Sequence, residues 1–256
     1  TDLDRESFQT YRKTIKSRQG KHSNVWVRSR FGKIKTVINH ATVEIELTEK
    51  EKSALAYVSL LKQPRKPTPK PVDIDPEEME GILDHADDWE RALILVALNS
   101  AYTNIDCQRL TWDMVDWKKK TIRFDRGKSE HLTEQELPRI TALWDRTIAA
   151  LKKIRNKHPH VFVSIVGQPA HIDTMNDHFV TCRKNAGITK VLTFKHLRKS
   201  ALTAASNDPS GVPDRQINLL AGHSARIKES YVVRRNVELA CAAIERYYFD
   251  GEQVGA

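Results

Sequence analysis

The stretch "KQPRKPTPKPVDIDP", residues 62–76, holds five prolines and four basic side chains in fifteen positions. Each proline removes a backbone N–H, fixes φ and biases the residue before it away from the helix. A segment of that composition is an extended, semi-rigid connector. It divides the 256-residue chain into two folding units. We expect a first domain over residues 1–62, a linker over 63–74 and a second domain over 75–256.

The two sides of the linker differ in charge. Residues 1–70 carry 16 Lys and Arg against 7 Asp and Glu, whereas the remaining 186 carry 26 against 26. The net charge of +9 therefore lies wholly in the first quarter. Neutralising phosphates releases counterions and gives affinity that ignores base sequence, so this end is expected to meet a polyanion. A solvated basic face is the plainer reading of the same counts. In "SNVWVRSRFGKIKTVINHATVEI", Val27, Phe31, Ile34, Ile38 and Ala41 fall three or four apart, one stripe of an amphipathic helix capped by Ser23 or Asn24. Arg28, Arg30, Lys33 and Lys35 flank the stripe, and Arg65 and Lys66 stand in the linker; these six are the candidate phosphate contacts. "RESFQTYRKTIKSR" and "TEKEKSALAYVSLLK" read as helices on either side, which makes the first domain small, basic and all-helical.

Beyond the linker, Asp75, Pro76 and Glu78 supply an N-cap, a first-turn proline and a capping-box acid. "WERALILVALNSA" is apolar nearly all round and predicts a buried helix. "KKKTIRFDRGKSEHLTE" alternates and turns at Arg126-Gly127, predicting a strand pair with Lys128 near its tip, and "HVFVS" predicts another brief strand. Helices follow at about 173–186, 195–206, 213–221 and 236–248. The fold class is mainly α with a small antiparallel sheet. No run approaches the ~18 apolar residues of a membrane span, and "TDLDRESFQTYRK" lacks a signal-peptide core. A soluble, cytoplasmic protein without a membrane partner is expected. Cys107, Cys182 and Cys241 are far apart, which favours reduced thiols within helices.

"LTFKHLRKSALTAA" begins β-biased and turns helical, so Lys195 and Arg198 lie at i and i+3 near a helix start, a place for an anion. His223 of "LAGHS" stands 25 residues after Arg198, and Tyr231 eight beyond it. Together these resemble the tyrosine recombinase, or phage integrase, family. Its pattern sets His or Lys, two residues and Arg at a helix start, then Leu-Gly-His-Ser, then a tyrosine about nine residues on. Here Ala221 replaces the usual Leu before Gly222. "VFVSIVGQPAHIDTMNDHFVTCRKNAGI" looks like the strand, Gly-x-Pro turn and helix that precede that motif. The first domain is similar to the family's core-binding domain without its first part.

The resemblance implies a two-domain catalyst that exchanges DNA strands through a covalent 3′-phosphotyrosine, with no metal, cofactor or ATP. Tyr231 would be the nucleophile and Arg198 the phosphate clamp. Lys195 and His223 would donate to the phosphate or assist proton transfer, Lys128 would be the general acid, and Asp106 would orient the site. It also implies duplex DNA as partner, a tetramer on DNA from a free monomer, a nucleoid-associated location, and a terminal helix docked on a neighbouring protomer.

One element departs from the family. A helix that reads roughly Thr-Gly-Leu-Arg, two residues, acid, Leu and Trp-x-Asp appears here as "YTNIDCQRLTWDMVDW". Aligning Leu110 and Trp112 puts the acid on Asp106 and the arginine on Thr103. Arg109 lies six residues along, out of register, and Asn104 reads as the helix cap. A slowed or dead enzyme follows, or a DNA-binding protein that no longer cuts; a helical protein-interaction module is the third reading. Each residue also has a plainer reading. Tyr231 fits a core aromatic, His223 a helix C-cap, and Lys128 a hairpin tip whose role Arg126 or Lys120 could take. Tyr247 and Tyr248 read as packing residues, His196 points away from the site, and His158, His160, His171 and His178 lack metal-ligand spacing.

Overall fold

The computed structural model describes residues 5–17, 24–44, 48–49, 52, 72–124, 139–222 and 237–250. The chain forms two compact units, Thr1–Pro71 and Val72–Ala256. In the first, helices α1 (Arg5–Ser17) and α2 (Asn24–Glu44) follow the expected stripe. Val27 and Phe31 are buried, with the Tyr11 ring edge-on to Phe31 at 6.4 Å. Arg30 and Lys33 are exposed, while Arg28 and Lys35 are half-buried. Most of the expected third helix, with Arg65 and Lys66, lies outside the described residues.

The second unit opens with α3 (Pro76–Asp84), capped as predicted: the Asp75 N–H donates to Glu78 Oε2 at 3.0 Å. Helix α4 (Asp88–Ser100) is the centre of the core, with every residue from Ala92 to Ser100 buried. A helix apolar all round is stable only when neighbours cover it, and α4 is covered by α6 (Asp145–Lys153), α7 (Ile172–Asn185), α8 (Lys195–Ser206) and α10 (Glu238–Phe249). Of its two buried polar residues, Asn99 is satisfied, donating to Ala142 O at 2.9 Å and accepting from the Trp144 N–H at 3.0 Å, whereas the Ser100 hydroxyl has no partner among the described residues. Two short helices, α5 (Asn104–Arg109) and α9 (Asp214–Leu220), and a single 3-10 turn at Trp112–Met114 complete the described helices in this unit.

Strands β1 (Val115–Asp116), β2 (Thr121–Phe124) and β3 (Arg139–Ala142) form one antiparallel sheet in that order, with Val115 and Thr141 flanking Ile122. Ile122 and Phe124 are buried and Arg123 is exposed, the alternation seen in the sequence. The partners differ from expectation. A turn at Arg126-Gly127 would pair β2 with the residues just beyond, which lie outside the described ones; the observed partners are β1 and β3. "HVFVS" is not a strand either. Val161 and Phe162 are both fully buried, which breaks period-two alternation, and two isolated bridges, Thr111 to His160 and Val163 to Pro169, hold the segment.

The terminal helix α10 buries Ala240, Cys241, Ala243, Ile244 and Tyr248 within its own unit. Trp144 Nε1 donates to Cys241 O at 2.9 Å. This face packs on α4, α8 and α9, while Leu239 and Tyr247 of the same helix stay exposed. Among the described residues no helix is long and apolar enough to cross a membrane.

All three cysteines are buried thiols outside any disulfide. Burial, and then the Glu90 carboxylate, push the Cys182 thiol up to about 12. At pH 8 the native chain should therefore resist a thiol reagent that labels three sites once it is unfolded, and rapid native labelling would contradict this packing. Burial pushes Glu90 up, yet the Asp87 backbone, His178 at 2.6 Å and Cys182 together hold it below its ordinary value. A depressed carboxylate contributes stability that is complete above its unfolded value and lost as pH falls through the folded one. The thermal midpoint should thus hold near neutrality and drop below about pH 4, and the drop should shrink in Glu90→Gln.

Candidate active site

The site is built where three helix ends meet around one guanidinium. Helix α4 ends on Ala101, whose φ of 48° and ψ of 40° are left-handed. Ala101 occupies the glycine position of the Thr-Gly-Leu-Arg pattern, a residue type that adopts positive φ without penalty. This turn ends α4 two residues before Thr103, which caps the next helix. Helix α9 ends on Ala221, followed by Gly222 with φ of 57°. Arg198, half-buried on α8, donates through Nη1 to Ala101 O at 2.6 Å and through Nη2 to Ala221 O. Carbonyls at helix C-termini lack intrahelical donors and carry the negative end of the macrodipole, so a cation is favoured there. Arg198 thus ties the start of α8 to the turn entering Thr103 and to the turn entering position 223.

Thr103 is the N-cap of α5, which corrects the assignment of Asn104. Its Oγ1 accepts from the Asp106 N–H at 3.3 Å and donates to Asp106 Oδ2 at 2.8 Å, and its own N–H reaches the same oxygen at 2.9 Å. Asn104 instead donates to Ile172 O at 3.2 Å. The cap won because threonine one residue earlier closes a full capping box with the acid three residues on, which asparagine at 104 cannot do. Asp106 is buried at 4% exposure. The Thr103 hydroxyl is thereby committed to holding the helix start.

Lys195 is exposed in the first turn of α8, one turn from Arg198. His196 folds back on the residue three before it, its Nδ1 accepting from the Thr193 N–H at 2.9 Å. Burial and then the Lys195 and Lys199 charges hold His196 below its ordinary value, against the Thr193 backbone contact. Lys128, His223 and Tyr231 lie outside the described residues. Among the described residues no three His, Cys, Asp or Glu side chains gather as a metal site. The two carbonyls that Arg198 grips had no signal in the residue pattern, because backbone acceptors carry no residue signature.

On α2 the Arg30 guanidinium lies 5.1 Å from the Trp26 ring centre, so its charge stands over an aromatic face at the helix surface.

No curated protein sequence matches the chain. The fold is similar to a lambda integrase dimer bound to a COC′ core site, with TM-score 0.66 and 15% identity over 89% of this chain and 81% of that one. It is similar to a lambda integrase tetramer bound to a Holliday junction, with TM-score 0.66 and 15% identity over 89% of this chain and 66% of that one. It is also similar to the Tn1549 transposon integrase in complex with circular intermediate DNA, with TM-score 0.60 and 15% identity over 85% and 77%. Residues 73–231, which include Thr103, Lys195 and Arg198 and end on Tyr231, match the sequence model of the phage integrase family, and the chain belongs to that family.

Proposed function

We propose that this protein cuts and rejoins duplex DNA as a site-specific recombinase, at a rate lowered by the loss of one cation at Thr103. The observation that carries the reading is the convergence on Arg198 of the segments bearing Lys195, Thr103 and the Gly222 turn. Tyr231 Oη would attack the phosphorus, forming the phosphotyrosine bond as the bond to the 5′ oxygen breaks. Lys128 would give that leaving oxygen its proton, and His223 or Lys195 would assist transfer of the tyrosine proton. The bond energy stays in the phosphotyrosine and is returned when a 5′-hydroxyl attacks. A tyrosine with an ordinary pKa near ~10 needs cations crowded about it for this step. Arg28, Arg30, Lys33, Lys35, Arg65 and Lys66 would hold the phosphate backbone, with a tetramer as the working assembly.

A second reading, binding without cleavage, is favoured by the Thr103 hydroxyl itself, since its proton already goes to Asp106. Incubation with supercoiled plasmid separates the two. Relaxation with protein trapped covalently on DNA supports the first, and retention of DNA with no relaxation supports the second. Either way, reversing Arg30 and Lys33 to Glu should weaken binding by about tenfold or more and flatten its dependence on salt. Binding that is insensitive to both salt and these changes would sink the two readings together.

A further inference from the structure

Of the four residues that lead into the second unit, Val72, Ile74 and Asp75 are each held by side chains from elsewhere in it. Lys199 Nζ donates to Val72 O at 3.1 Å, the Ile74 N–H donates to Ser200 Oγ at 3.0 Å, and Tyr248 OH donates to Ile74 O at 3.0 Å. Lys190 Nζ then reaches Asp75 Oδ2 at 2.6 Å and Glu78 Oε2 at 2.9 Å. Ile74 and Ser200 are almost wholly buried, at 0% and 1% exposure. Burial pushes the Tyr248 hydroxyl well above the ordinary tyrosine value, so it stays protonated and donating.

Two of these anchors, Lys199 and Ser200, sit on α8, the helix that carries Lys195 and Arg198. Ser200 is two residues from Arg198, about 200° around the helix, so the anchor and the guanidinium occupy opposite faces. A segment bonded at three of its four residues has little slack, and one helix turn is stiff. A displacement of Val72 is therefore passed to α8 as a whole. Immediately before Val72 stand Pro64, Pro67, Pro69 and Pro71, a composition that transmits force better than a Gly-Ser chain of equal length.

We propose that Val72–Asp75 is a positioning strap, which delivers the pull of the preceding linker to α8 and so sets where Arg198 and Lys195 stand once DNA is bound. The use of DNA as the load rests on the reading given above. Lys199, Ser200 and Tyr248 are then positioning residues, acting through the strap rather than on substrate.

The test compares four full-length chains: the native one, Ser200→Ala/Tyr248→Phe, the native chain with residues 63–71 replaced by Gly-Ser of equal length, and the combination. Amide exchange in α8 is read with and without saturating duplex DNA, and binding is followed separately by anisotropy. In the native chain DNA should slow α8 exchange by on the order of tenfold, and the Gly-Ser linker should remove most of that gain. In Ser200→Ala/Tyr248→Phe the linker should make no further difference. Lys199→Met, the milder variant, should fall between. If the linker changes α8 exchange by the same factor with and without the anchors, or in neither chain, the strap is overturned. A chain that binds no duplex refutes the recombinase reading instead, and the DNA-free samples then decide the strap by the same comparison. There the Gly-Ser linker must speed α8 exchange in the native chain alone.

Discussion

Thr103→Arg is expected to raise plasmid relaxation by about 100- to 1000-fold, the usual worth of one preorganised donor to transition-state charge. The argument is local. The left-handed Ala101 and the capping box hold the backbone at 103 in one defined conformation, so on the proposed reading a guanidinium there starts from a fixed position. Its introduction removes a threonine cap, which costs about 1 kcal/mol of stability, or roughly 2–4 °C in midpoint for a unit of this size. Asp106 offsets part of that cost, because its carboxylate still accepts the backbone N–H of residue 103 and gains a cation beside it. Adding Tyr231→Phe to the same chain should return relaxation to background. Equal rates with Thr103 and with arginine would mean that another cation already serves the phosphate. Persistence of relaxation in Tyr231→Phe would remove Tyr231 from the nucleophile's role.

Arg198→Ala carries the second large effect, and it should appear in two measurements at once. Hydrogen bonds to a charged donor are worth about 1.5–3 kcal/mol each, and this change strips the donor from both the Ala101 and Ala221 carbonyls. A loss of about 3 kcal/mol, or roughly 6–12 °C in midpoint, follows. Relaxation measured in the Thr103→Arg background should also fall by about 100-fold or more. Arg198→Lys is informative beside it, since a lysine keeps the charge but cannot fork between two carbonyls. It should recover some phosphate attraction and little of the lost stability. An unchanged midpoint in Arg198→Ala would show that the guanidinium does not brace the two helix ends.

Much of the fold was readable because its signals are local. The α4 run is apolar on every face, the Asp75-Pro76-Glu78 start is a capping box, and the helices of the last third match their expected bounds within about two residues. The sheet was less legible. Arg139–Ala142 is four residues long and gains its strand identity from β2, far from it in sequence, while "HVFVS" looks extended yet pairs only through single bridges. Helix α6 was missed although Ile148 and Leu151 are correctly spaced, because only nine residues carry the pattern. At the site, the motif spacing pointed to Arg198 and Thr103, but not to the acceptors of the one or the cap formed by the other. Both depend on where helices α4 and α9 stop, and helix ends are the least certain part of any reading by periodicity.

The bond from Tyr248 to Ile74 spans 174 positions and joins the last helix of the second unit to its first residues. A ribosome adding about 5–20 residues per second releases Ile74 many seconds before Tyr248 exists to meet it. Until α10 emerges, the apolar faces of α4 and α8 that it covers are open, and the nascent unit needs shelter from other chains. A stop codon anywhere before α10 should therefore yield insoluble or degraded product, with no shortened protein left to occupy DNA sites and compete with the full-length chain.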